Sequence, residues 1–159
     1  MLLAIPYLAG RRFVLSLFAG ALVCLAAAGL LRPAYGQDYA TPPQADQAAI
    51  MDIIQSQLDA FQVDDGARAF SFATPQLRRM FQTPENFMAM VRGGYMAVYR
   101  PQSVEFLDAR VVSGRTGQAV RFVGPDGIAV IAIYTMERQP DGSWRIAAVQ
   151  LIPTGEVSS

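Results

Sequence analysis

The stretch from Gly127 to Pro153, GIAVIAIYTMERQPDGSWRIAAVQLIP, restricts the fold more than any other part of the chain. Two long apolar, β-rich runs are joined by Gln139-Pro140-Asp141-Gly142-Ser143. Proline presets φ at the first central position of a turn, and Asp-Gly supplies a residue that tolerates positive φ, so the segment predicts a β-hairpin. A ribbon this apolar needs cover on at least one face, and the rest of the chain must supply it.

Immediately upstream the pattern is also that of strands. Gln102 to Val112 alternates apolar and polar residues with mixed faces, Ser113 to Gly117 reads as a turn, and Gln118 to Val123 as a second strand. Gly124-Pro125-Asp126-Gly127 is another turn, so even spacing and tight connections imply a four-stranded antiparallel meander. Before Gln102 the period is helical. Ile50, Ile53, Ile54, Leu58 and Phe61 recur at three- and four-residue spacing and predict an amphipathic helix over Gln44 to Gln62. Asp64 or Asp65 can cap a second helix carrying Ala69, Phe70 and Ala73. Thr74-Pro75 and Thr83-Pro84 each place a capping hydroxyl before a proline suited to the first helical position, which starts helices at Pro75 to Gln82 and Pro84 to Arg92. Gly93-Gly94 is expected to end the last of these through a left-handed residue. Tyr95 to Arg100 fits no single period. Helices first and a sheet after predict an α+β fold, with the helices on one face of a curved four-stranded sheet.

The N-terminal third is different. Met1 to Leu31 carries only Arg11 and Arg12 as charges, and Phe13 to Leu31 is almost wholly apolar. With small residues at Ala34 and Gly36, residues 1–36 read as an export signal cleaved after Gly36, leading to the periplasm or outside the cell. A retained inner-membrane anchor is the competing reading, since the run approaches the length a bilayer requires. Arg11-Arg12-Phe13-Val14-Leu15 also loosely fits a twin-arginine signal. Residues 37–47 then form a Pro- and Ala-rich linker, 48–154 the domain, and 155–159 a tail. Cleavage would remove Cys24, the single cysteine, and with it any disulfide or thiol chemistry. Removing Arg11, Arg12 and Arg32 also leaves ten arginines against thirteen acids, a net charge of −3. That balance argues against nonspecific nucleic-acid binding, which needs a basic surface.

Four stretches carry a resemblance: Gln57 to Phe61 with Asp64-Asp65, Phe81 to Met90, Tyr95 to Pro101, and Tyr134 to Ile146 with its Asp141-Gly142-Ser143-Trp144-Arg145-Ile146 motif. Together they resemble the uncharacterised bacterial DUF4864 family, and the order of elements resembles the wider NTF2-like, or SnoaL-like, α+β cone. The resemblance implies a cone whose mouth opens between helices and sheet. It implies no reaction, because enzymes, binding modules and protein–protein domains all use this fold.

The chain has no histidine, and the mature domain would have no cysteine, so serine–histidine and cysteine–histidine nucleophiles are excluded and no metal site or cofactor is expected. Asp64 and Asp65 are the candidate bases, with helix capping as the structural alternative. Tyr95, Tyr99 and Tyr134 could present phenols to a ligand, or simply pack as core and rim aromatics. Arg121, with Arg100 and Arg145, could grip an anion or pair with surface carboxylates. Met80, Met88, Met90 and Met96 read as flexible core filler rather than a soft-metal site. Trp144 reads as an anchor of the last strand against the helices. Two functions follow. The first is a non-enzymatic module binding a small hydrophobic molecule in the cone, or a partner (including a second copy) through the sheet. The alternative is a cofactor-free lyase, isomerase or hydrolase, with Asp64 or Asp65 as base and Tyr95 or Tyr134 as donor. The deciding question is whether the cone is open or filled by Phe61, Phe70, Phe106 and Trp144.

Overall fold

The predicted turn signals fall on three tight connections in the computed structural model, which describes residues 40–157. The predicted export segment, and with it Cys24, lies outside the described residues. Strands β1 (Ser103–Val112), β2 (Arg115–Val123), β3 (Ile128–Arg138) and β4 (Trp144–Val157) form one antiparallel sheet in the order β1-β2-β3-β4. Two of the turns share one device. In each Pro-Asp-Gly the glycine takes positive φ, 77° at Gly127 and 84° at Gly142, and the aspartate accepts from the backbone N–H two residues on. The β1–β2 turn is tighter than expected: Ser113 and Gly114 both have positive φ, the arrangement of a two-residue hairpin loop. β4 also runs past Pro153, since Val157 pairs with Ile128.

Alternation sets the faces of the sheet. Thr116, Gln118, Val120 and Phe122 of β2 and Ala132, Tyr134 and Met136 of β3 are buried on the inner face. The register shifts in β1 between Phe106 and Ala109, where the buried Gln118 donates to the Leu107 carbonyl at 2.7 Å and fills the need created by the bulge. A second shift lies opposite Thr135–Met136 in β4.

Among the described residues five helices precede the sheet: α1 (Gln44–Gln62), α2 (Gly66–Ser71), α3 (Pro75–Phe81), α4 (Pro84–Gly94) and α5 (Met96–Tyr99). Ile50, Ile54, Leu58 and Phe61 of α1 are buried, each contributing about 1.5–3 kcal/mol by leaving water. Asp65 accepts from the Arg68 N–H at the start of α2, Thr74 from Leu77 at α3, and Thr83 from Asn86 at α4, so all three predicted caps form. One expectation fails. Gly93 and Gly94 stay within α4, and its end is marked by Tyr95 at φ −130° rather than by a left-handed glycine. Tyr95 also starts α5, which resolves the stretch that fitted no period.

Short pairings cover the ends of the sheet. Ala40 bridges to Val111 on β1, and Ala73 to Ile146 on β4, with Thr74 N–H donating to the Ile146 carbonyl at 2.9 Å. Trp144 meets the first turn of α1, its indole N–H donating to Asp46 at 3.3 Å. Among the described residues no helix is long and apolar enough to cross a membrane.

Candidate functional site

A cavity of about 330 Å³ lies between the sheet and the helices α1, α3, α4 and α5. Phe61 of α1, Phe81 of α3 and Phe87 of α4 form one wall, with ring centroids 6.2 Å apart for Phe61–Phe87 and 5.6 Å for Phe81–Phe87. Leu77 and Met80 cover the cavity from α3, a helix with no fully buried residue. Met80 is 64% exposed and stands at the edge. Met90 and Val91 of α4 and Val98 of α5 continue the wall, and Tyr134, Ile146, Ala148 and Val149 of the sheet close it. The interior is therefore not filled by Phe61, Phe70, Phe106 and Trp144: Phe61 lines the cavity, and the other three do not.

Three polar side chains line this space, Gln57, Tyr95 and Tyr134, and no charged one does among the described residues. Gln57 Nε2 donates to the Ala69 carbonyl at 3.1 Å, and the Tyr95 hydroxyl donates to the Val149 carbonyl at 3.0 Å. Tyr134, in the middle of β3 between Gln118 and Val149, is 0% exposed. Its hydroxyl has no hydrogen-bond partner among the described residues, and burial pushes its pKa well above the ordinary value. An unpaired buried hydroxyl costs about 1–3 kcal/mol, so this one calls for a reason.

The other candidate residues lie elsewhere. Asp65 is the exposed cap of α2. Asp64 is exposed at the end of α1 with φ 57°, where Asp64 N–H donates to Phe61 and Asp65 N–H to Ala60. That is a Schellman closure with aspartate in the position usually given to glycine. Its carboxylate accepts from the Tyr99 hydroxyl and from Arg100 Nη2 at 2.8 Å, with Arg92 at 3.7 Å. Arg100 also donates to the Phe61 carbonyl and lies 3.7 Å from the Tyr99 ring centroid. The Tyr99 and Arg100 hydrogen bonds hold the Asp64 carboxyl below its ordinary value, which weakens it as a base. Tyr99 thus belongs to this latch between α1, α4 and α5, not to the cavity. Arg121 faces away from the helices, opposite Glu105 in the β1–β2 register. The carboxylate and phenol that acid–base catalysis would need in one cavity are not brought together.

The methionines scatter as well: Met80 and Met90 line the cavity, Met88 is buried, and Met96 is 45% exposed. The place of Gln57, Leu77 and Met80 in the cavity wall is not legible in the sequence, where helical spacing is their only signal. A larger hollow of about 750 Å³ lies by the β1 bulge, near Leu107, Gly117 and Ile133. It is more open, and its charges, Asp108 and Arg110, pair with each other at 2.8 Å.

A family model described as a domain of unknown function, DUF4864, matches residues 43–158, from the start of α1 through the last strand. The chain belongs to this family. Comparison with curated proteins and with solved structures gives no match. The DUF4864 match thus covers every helix and strand of the described residues, including both halves of the cavity wall.

Proposed function

We propose that this DUF4864 domain is a non-enzymatic binding module of the cell envelope, built on an NTF2-like cone, that holds a small and mostly apolar molecule between its helices and its sheet. The cavity carries this reading: about 330 Å³, aromatic and aliphatic on nearly every side, with three polar groups and no charge. Small-molecule sites have this size and this balance of apolar wall to a few polar groups. Leu77, Met80 and Phe81 of α3 support it further, because none is fully buried by the protein alone and a ligand would complete their cover. Export is supported by the charge-poor run Phe13 to Leu31 and the small residues Ala34 and Gly36.

Met90→Trp tests the reading by filling the space from α4. The full chain should bind the neutral dye phenylnaphthylamine saturably and with one site. Met90→Trp should weaken that binding by about tenfold or more, ~1.4 kcal/mol, with an unchanged far-ultraviolet spectrum. Equal binding by both proteins, or none by the wild type, would remove the cavity as the site.

A further inference from the structure

We infer that the cavity selects a neutral ligand with one hydrogen-bond acceptor on a hydrocarbon body, a ketone, aldehyde or ester, and that the Tyr134 hydroxyl donates to that oxygen. The inference deepens the binding reading above and rests on it. Of the polar groups in the wall, the Tyr95 hydroxyl is committed to the Val149 carbonyl and Gln57 Nε2 to the Ala69 carbonyl. Gln118, the neighbour of Tyr134 across β2, gives its Nε2 to the carbonyls of Leu107 and Ala119. The Tyr134 hydroxyl, fully buried and on a residue of the cavity wall, is the one buried side-chain polar atom that makes no hydrogen bond at all among the described residues.

The chemistry of the group sets the class of ligand. A phenol donates better than it accepts, because its oxygen lone pair is delocalised into the ring, so its complement is an acceptor. Burial raises the Tyr134 pKa, which keeps the proton in place as a donor. The ligand must be uncharged because no cation lines the cavity among the described residues, and an unpaired charge in such a space is strongly disfavoured. The nearby guanidinium groups of Arg92 and Arg100 are turned to Asp64 on the outside of the helical layer. A hydrocarbon lacking the acceptor would still fill the space but would leave the phenol unpaired.

Acetophenone and α-methylstyrene differ only in the carbonyl oxygen, which is a methylene in the second, and benzoate adds a charge to the same ring. Dissociation constants for all three would be measured by ligand-observed NMR on the full-length wild type and on Tyr134→Phe. The ratio of ketone to alkene affinity should fall about five- to tenfold in Tyr134→Phe, the effect of one hydrogen bond, while benzoate binds neither protein. The carbonyl stretch of bound acetophenone should move to lower frequency in the wild type relative to the ketone in hydrocarbon, a reading that needs no variant. An unchanged ratio, an unshifted stretch, or benzoate binding as tightly as acetophenone would overturn the inference. Binding of both neutral probes with an unchanged ratio would overturn it alone. If neither neutral probe bound, the cavity reading would fall with it.

Discussion

Asp64 and Asp65 are adjacent and chemically identical, yet backbone geometry gives them different tasks. Asp65 precedes α2 and its carboxylate meets the Arg68 N–H at 2.9 Å, as its place before Gly66-Ala67-Arg68 suggests. Asp64 takes a left-handed conformation, which aspartate tolerates better than most side chains, and so points to Tyr99 and Arg100. The cap was legible because it depends on neighbours in sequence. The second role was not, because Tyr99 is thirty-five residues away. Tyr134 gives the same lesson: alternation in β3 places it on the buried face, but only the layers around it show that its hydroxyl goes unpaired. Removing that hydroxyl should therefore help the unliganded protein. Tyr134→Phe is expected to raise its stability by about 1 kcal/mol in urea denaturation, whereas a loss of that size would mean the hydroxyl has a partner.

At the scale of elements, α3 and the Asp64 latch do most to define the cavity. α3 is fixed at both ends, by Thr74 joined to β4 at Ile146 and by Thr83 opening α4, while its apolar side chains remain only partly covered. Its start and length follow from Thr-Pro and Gly-free helical spacing, but a period says which residues share a face and not what lies opposite. The latch ties the C-terminus of α1 to α4 and α5, the helices that carry Phe87, Met90, Val91, Tyr95 and Val98 into the wall. Its pH dependence has a definite sign. The Asp64 pKa is lowered by folding, so its stabilising effect is present at neutral pH and is lost as pH falls through the folded-state value, below the ordinary 3.8. Asp64→Asn keeps a residue suited to positive φ and removes the charge. In urea melts it should be less stable than the wild type at neutral pH, with the gap closing as the pH falls below the ordinary carboxylate range. A gap of constant size as the pH falls would show that the carboxylate charge is not what the latch uses.

For the whole molecule, the chain order of helices then meander is written in turn chemistry, and the sheet follows it: Gln139 to Ser143, Gly124 to Gly127 and Ser113-Gly114 each reverse the chain where local residues permit. The small bridges at Ala40 and Ala73, which cover parts of both sheet edges, have no such local signal and arise from packing. The cavity is legible least of all. It is the space left when α3, α4 and α5 meet a sheet bent by bulges near Leu107 and Ala147, and no single residue encodes a void. Apolar side chains are also exposed on the outer face of the sheet, with Ile131 and Ile133 partly exposed and Ile152 43% exposed. These two surfaces make different predictions for where a neutral hydrophobic molecule goes. Titration of methyl-labelled full-length protein with acetophenone separates them directly. The resonances of Leu77, Met80, Met90 and Val149 should shift together and saturate while those of Ile131, Ile133 and Ile152 stay fixed; saturable shifts on the isoleucines, with the cavity methyls unmoved, would contradict the account.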